Sequence, residues 1–269
     1  MLINYSYFTQ RHAYHLVAPS IMPLLTSLSA LCLLVSSTAF LHGFSFGFEM
    51  LVFGMFSTAF CMALWWRDVV SEGSFEGHHT NIVQVGLRYG MILFIVSEVM
   101  FFFAFFWAFF ASSLTPTIEI GNIWPPKGIV SFNAFEVPLV NTLILLCSGV
   151  TITYSHHAIT AGKKLDAVWG LILTIVLAAI FTGFQAYEYV TSSFRISDGI
   201  YGSTFFMATG FHGFHVFVGT VFLIVCLIRL SQNHFTKQHH FGFEAAAFYW
   251  HFVDVVWLFL YVAVYFWGG

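Results

Sequence analysis

Glu98 lies in the run from Met91 to Trp107, where Ser97 is the only other polar residue and no positive charge falls within a helical turn. An ionised carboxylate in hydrocarbon is so costly that such a group is neutral, paired to another helix, or close to water. With no counter-charge in the local sequence, a neutral Glu98 is expected, and a buried carboxyl of this kind is suited to holding and passing protons. Four further groups have related placements. His212 and His215 are three residues apart and share a helix face, as do His251 and Asp254. Counting about 1.5 Å per residue inward from Arg88 and Glu244 puts Glu98 and Asp254 about 15 Å into a membrane. Glu98, His212, His215, His251 and Asp254 are therefore expected to form a polar seam at mid-membrane depth.

Two carboxylates and three imidazoles form the ligand set of a di-iron or copper centre, and a haem can also be imagined there. The pattern argues against both. Two histidines three apart on one helix cannot grip both faces of a haem, and the Glu-x-x-His motif repeated on two helices in di-iron bundles is missing. Thr209, Gly210, Gly213 and Gly219 around the histidines look like a close helix-packing face, on which imidazoles hydrogen-bond across helices. That reading is favoured over a proton relay, and the relay over metal ligation; no residue is assigned as a metal ligand.

The elements that position these groups follow from composition. The chain of 269 residues is 59% hydrophobic and 8% charged, outside the range of soluble domains. Seven apolar stretches are long enough to cross about 30 Å of hydrocarbon as helices: 21–41, 48–66, 86–112, 137–155, 167–189, 204–229 and 245–267. A β-barrel would alternate in polarity over segments of about ten residues, and these runs do not. The expected fold is an all-α polytopic membrane protein, a single domain over 1–269 with sub-bundles 15–70 and 80–269. About twenty polar residues between Trp66 and Gly86 are read as a loop setting the first hairpin apart. Another loop, from Ser113 to Glu136, carries Pro116, Trp124, Pro125 and Pro126 and is expected to fold over the membrane surface.

Arg11, Arg67, Arg88, Lys163, Lys164, Arg229 and Lys237 fall on one side of these spans, and Lys127 and Arg195 on the other. The bias predicts an N-terminus inside and a C-terminus outside. A net charge of −3 gives no basic surface for nucleic acid. The stretch from Met1 to Ser20 shows no signal-peptide or transit-peptide pattern. Cys32, Cys61, Cys147 and Cys226 lie singly in four spans and read as small buried hydrophobes. His78-His79, His156-His157 and His239-His240 all fall at the inside face, as solvated interfacial residues or as groups that hand on protons or hold phosphate. Trp65-Trp66-Arg67 suits head-group anchoring. No phosphate loop, nucleophile elbow or zinc-protease motif is present.

Five strings carry a resemblance: Ser-Glu-Val-Met-Phe-Phe-Phe at 97–103, Ile-Trp-Pro-Pro-Lys-Gly-Ile at 123–129, Ser-Asp-Gly-Ile-Tyr-Gly-Ser-Thr-Phe-Phe at 197–206, Ala-Thr-Gly-Phe-His-Gly-Phe-His at 208–215 and Tyr-Trp-His-Phe-Val-Asp-Val-Val-Trp-Leu-Phe-Leu-Tyr at 249–261. From Arg11 to Gly269 the chain resembles the cytochrome c oxidase subunit 3 family of the haem-copper oxidases, most closely its mitochondrial members. The resemblance implies a non-catalytic core subunit of a proton-pumping, oxygen-reducing complex, with haem and copper in partner subunits and none in this chain. It implies packing against the catalytic subunit 1 and the other oxidase subunits, membership of a respiratory supercomplex, and the mitochondrial inner membrane, with a bacterial plasma membrane as the alternative. It also implies a V-shaped, phospholipid-filled cleft between the first two helices and the other five. Lipid contacts carried over by motif are Trp65, Trp66, Arg67, Glu72, His79, Arg88 and Phe94, with Arg229 and His234. Glu98 matches the family's buried acid, with implied roles in proton uptake and in oxygen access. Ile21-Met22-Pro23 stands where the family commonly has Pro-Trp-Pro, and Ser71 where a basic residue is usual, which removes an anchor and a phosphate contact. The alternatives are a quinol oxidase subunit, a self-contained metal or haem protein built on His212, His215 and His251, and a small-solute or proton transporter using Glu98.

Overall fold

The computed structural model describes residues 12–269; Arg11 of the basic side lies outside the described residues. Among the described residues seven helices are long and apolar enough to cross a membrane. They are α1 (Met22–Leu41), α2 (Gly47–Ser74), α3 (Asn81–Leu114), α4 (Val137–Ala161), α5 (Lys164–Thr191), α6 (Ile200–Ser231) and α7 (Phe241–Leu260), the last continued by a π-helical turn over Tyr261–Phe266. No strand occurs among the described residues.

The apolar runs mark the helices but not their ends. α2 runs on through Arg67, Asp68, Glu72 and Ser74, and α3 starts at Asn81, so the expected loop of about twenty residues shrinks to residues 75–80. Helical hydrogen bonding needs no apolar side chain once the backbone leaves hydrocarbon, and polar residues extend the helix into the head-group layer. Prolines and a glycine set other boundaries. Pro23 and Pro138 occupy the first turns of α1 and α4, where a missing N–H costs nothing. Gly162, at φ 79°, ends α4: its N–H donates to Ile159 O and that of Lys163 to Ala158 O, a Schellman closure that leaves two residues before α5.

The chain forms two compact units, one ending at Leu87 and the other running from Arg88 to Gly269, so the division falls within α3. In the first unit α1 and α2 pack as a hairpin. Gly47 and Gly54 let the backbones meet, because a Cβ at Gly54 would sit 2.8 Å from Leu33 Cα.

In the second unit α4 packs on α5 by the same device: a Cβ at Gly170 would meet Ser155 Cβ at 3.0 Å and Thr151 O at 3.1 Å. α3 is different, meeting α6 and α7 through large rings. Phe101 and Phe105 each lie 5.0 Å, centroid to centroid, from Phe211, and Phe102 lies 6.0 Å from Phe252. α7 is the most enclosed helix, with Phe243, Trp250, Val253, Trp257 and Leu260 buried. It is tied to α4 by Trp250 Nε1, which donates to Ser148 Oγ at 2.9 Å, and by Trp257 Nε1, which donates to Thr142 Oγ1 at 2.9 Å. Spacings of seven on α7 and six on α4 repeat the contact two turns along an antiparallel pair.

The cysteines depart from expectation. Cys226 alone of the four is buried, Cys32 and Cys61 are half-buried and Cys147 is exposed on α4. A thiol facing lipid tails is as well solvated as one in a protein core, so apolar character does not settle which it faces.

Candidate functional site

Glu98 has a partner on another helix. Its Oε2 lies 2.7 Å from His215 Nε2, with the Glu98 side chain 21% exposed and that of His215 9%. The other ring nitrogen fixes the chemistry: His215 Nδ1 lies 2.6 Å from Phe211 O, and because a carbonyl only accepts, Nδ1 carries a proton. One further proton then lies on the Oε2–Nε2 line. It resides on the carboxyl, giving two neutral groups, or on the imidazole, giving an ion pair, and the bridge has zero net charge in both. The local sequence offers Glu98 no counter-group, and His215 of α6 supplies one: the two form a one-proton bridge between α3 and α6, in one form of which the acid is neutral. The rings of Phe102 and Tyr249, at 4.9 and 6.3 Å from that of His215, help to enclose it.

His212 is on the same helix but makes a separate contact. It is 1% exposed, its Nε2 lies 3.2 Å from Val253 O of α7, and its ring sits between Phe181 and Trp257 at centroid distances of 5.8 and 5.2 Å. His251 and Asp254 turn towards α4. His251 Nε2 lies 3.3 Å from Thr153 Oγ1, its Nδ1 is 4.0 Å from Asp254 Oδ2, and a Cβ on Gly149 would come within 2.8 Å of that same oxygen. The two residues line a groove on the surface of α4 and α7 with Thr153 and His157. The expected seam is therefore three separate contacts, Glu98 with His215, His212 with the Val253 carbonyl and His251 with Thr153, with Asp254 beside His251 at 4.0 Å, in place of one convergent cluster. Among the four flanking positions, Gly219 does provide close packing, with a Cβ there only 3.0 Å from Trp250, while Gly213 faces open space.

The positions expected to touch lipid divide between the units. In the first, Trp66 is exposed and Trp65 partly so, and the Arg67 guanidinium donates to Asp68 Oδ1 at 3.0 Å. Glu72 Oε2 is 3.2 Å from His15 Nε2, the His79 carbonyl accepts from Gln84 Nε2 at 3.0 Å, and Ser71 donates to Glu76 at 3.1 Å. In the second, Phe94 stacks on Tyr249, and the Arg229 guanidinium lies 4.5 Å over the Phe235 ring. Arg88 Nε donates to Glu244 Oε2 at 2.7 Å and its Nη2 to Oε1 at 3.1 Å. In the α6–α7 loop, burial and then the positive charge of Arg229 hold the His234 pKa below the ordinary imidazole value.

Two clusters escaped sequence reasoning. Glu188, 2% exposed near the end of α5, accepts from Tyr265 OH at 2.6 Å; that hydroxyl in turn accepts from Gln185 Nε2 at 3.4 Å. The signal was Gln185 and Glu188 three apart on one apolar helix. The second cluster joins Glu244 to His240 and His156, one member each of two His-His pairs, with the His156 and His240 rings 5.2 Å apart.

The profile of the cytochrome c oxidase subunit III family matches residues 12–269. The chain is 62% identical over 261 residues to cytochrome c oxidase subunit 3 of Marchantia polymorpha and 61% identical over 261 residues to that of Arabidopsis thaliana; each alignment covers 97% of this chain and 98% of the relative. It is 60% identical over 260 residues to the subunit of Prototheca wickerhamii, covering 97% and 99%. With seven membrane-length helices and near end-to-end matches of this strength, the chain belongs to the cytochrome c oxidase subunit III family and is a multi-pass subunit of that oxidoreductase complex.

Proposed function

We propose that this chain is a supporting core subunit: it holds no redox centre of its own, packs against the haem- and copper-bearing catalytic subunit, and keeps proton delivery to that subunit fast. The observation that carries this reading is how the mid-span imidazoles are used. Both nitrogens of His215 are engaged by Glu98 and Phe211, His251 Nε2 meets Thr153, and His212 is enclosed by Phe181, Trp257 and the Val253 carbonyl. His212 and His215 are enclosed with their rings already in contact with aromatic neighbours, and the imidazoles sit in three contacts instead of one ligand sphere.

The Glu98–His215 bridge suits a proton-handling role, since one proton can sit at either end with no change in net charge. Trp65, Trp66, Arg67, Glu72 and His79 of the first unit, and Arg88, Phe94, Arg229 and His234 of the second, are the proposed phospholipid contacts; the exposed indoles of Trp65 and Trp66 and the exposed Arg67 beside them support that assignment in the first unit. The proposed location is the mitochondrial inner membrane, N-terminus inside. Arg88, Lys163, Lys164, Arg229 and Lys237 lie at the end of the second unit where α4 and α6 stop and α5 and α7 start, which supports the orientation.

The test is to record reduced-minus-oxidised spectra and haem and copper content of the whole complex, then of the complex stripped of this chain. Haem and copper should stay wholly with the remaining subunits while turnover decays faster. A haem band or copper travelling with this chain would overturn the reading.

A further inference from the structure

Where α4 ends and α7 begins, three potential ligand atoms converge. A nitrogen from each of His156 and His240 and a Glu244 oxygen lie within 4.8 Å of one another. His240 Nδ1 is 3.0 Å from Thr236 O and so carries its proton, which leaves Nε2 facing Glu244 Oε1 at 3.3 Å. A neutral His240 would then point a lone pair at a carboxylate oxygen. His156 Nε2 is buried with no hydrogen-bond partner, and its ring packs against Phe243 at 5.8 Å. Two imidazole nitrogens and a carboxylate oxygen thus share a space suited to a positive charge in addition to Arg88, either a proton on His240 or a metal ion.

We propose that His156, His240 and Glu244 form a binding site for a redox-inert divalent transition cation, Zn²⁺, with a fourth position open to water. The donor set is of the open two-His, one-carboxylate type that zinc accepts. The Nδ1–H of His240 on the Thr236 carbonyl is the outer hydrogen bond that orients a ligating imidazole. At metal–ligand distances of about 2.1 Å a tetrahedral ion holds its ligands about 3.4 Å apart, so no separation need close by more than about 1.4 Å as the side chains rotate. Arg88 sets the affinity. Zinc on Oε1 displaces Nη2 and leaves Nε on Oε2, so binding breaks one arm of the Arg88–Glu244 pair and places the ion near a guanidinium. The positive end of α7 opposes it as well. The site is therefore loose and reversible, unlike a structural zinc centre. It is independent of the redox reading above, since Zn²⁺ does not change oxidation state.

The test uses the full chain in lipid nanodiscs, titrated with Co²⁺ as a visible stand-in for Zn²⁺ and then back-titrated with Zn²⁺. One Co²⁺ per chain with four-coordinate ligand-field bands, released by Zn²⁺, is expected. His156→Ala and His240→Ala should each weaken binding at least as much as loss of an outer-shell partner does, about 10- to 100-fold. His157→Ala, at the exposed neighbour, should leave it intact, and Arg88→Gln should tighten it. Glu244→Gln keeps an oxygen for Arg88 and so reads the site even if an imidazole variant misfolds; it too should weaken binding. Six-coordinate bands, no bound Co²⁺, or unchanged binding in Glu244→Gln would overturn the proposal in favour of a proton on His240. Haem and copper content plays no part in the outcome.

Discussion

The bridge between Glu98 and His215 can be weighed by a double-mutant cycle of Glu98→Ala, His215→Ala and the pair. Each single change strands one buried partner. Loss of Glu98 leaves His215 Nε2 unmatched in a shell that includes Phe102 and Tyr249, and loss of His215 leaves a carboxyl in the apolar run of α3. An unsatisfied buried group costs about 1–3 kcal/mol, and a hydrogen bond involving a charged partner contributes about 1.5–3 kcal/mol. Glu98 keeps 21% of its side chain exposed, which allows some relaxation, so the lower part of that range applies to each single variant. The double variant removes both stranded groups. Its cost should fall short of the sum by about 1–2 kcal/mol, the coupling energy of the bridge. Cys226, buried on α6, supplies the assay once Cys32, Cys61 and Cys147 are replaced by serine: its reaction with a thiol dye in rising denaturant reports opening of the second unit. A coupling below about 0.5 kcal/mol would mean that the two changes act independently and that the 2.7 Å contact carries no stabilising free energy.

Other outcomes follow from the packing. Gly54→Val should cost the α1–α2 hairpin about 1–3 kcal/mol, because its Cβ would lie 2.8 Å from the Leu33 backbone; unchanged thermal stability would refute that close approach. Tyr265→Phe should destabilise by about 1–3 kcal/mol by leaving the Glu188 carboxyl without its donor, with Glu188→Leu partly restoring stability in the double variant; no rescue would count against the network. The lowered pKa of His234 means that the fold favours its neutral form. Stability held above the ordinary imidazole value of about 6.5 should then be lost as pH falls through the lower folded value, and His234→Gln should flatten that step in melting temperature against pH.

Seven spans were legible because hydrocarbon thickness and helical rise leave few solutions for runs as apolar as 86–112. The continuation of α2 to Ser74 was not, since polar residues are as compatible with an extended helix in the head-group layer as with a loop. Glu98, His215, His251 and Asp254 stood out as misfits in apolar surroundings. Their division into separate contacts depends on the rotation of α6 and α7 about their axes, which spacing on a single helix does not specify. The His156, His240 and Glu244 group shows the same limit. Its members come from the end of α4 and the start of α7, more than eighty residues apart, and only the antiparallel pairing of those helices joins them. Glu188 was hidden by its place near the end of a span, where acids ordinarily meet water.

The enclosure of α7 has a consequence for biosynthesis. The two-residue link at Gly162 and Lys163 lets α4 and α5 enter the bilayer as a preformed pair, whereas the helix most surrounded by others is the last of the seven to leave the ribosome. Until it arrives, Ser148 and Thr142 on α4 have no indole to accept from, and Gly219 on α6 lacks the Trp250 ring that packs on it. A chain that stops before α7 therefore shows on α4 two hydroxyls that the complete bundle covers with indoles.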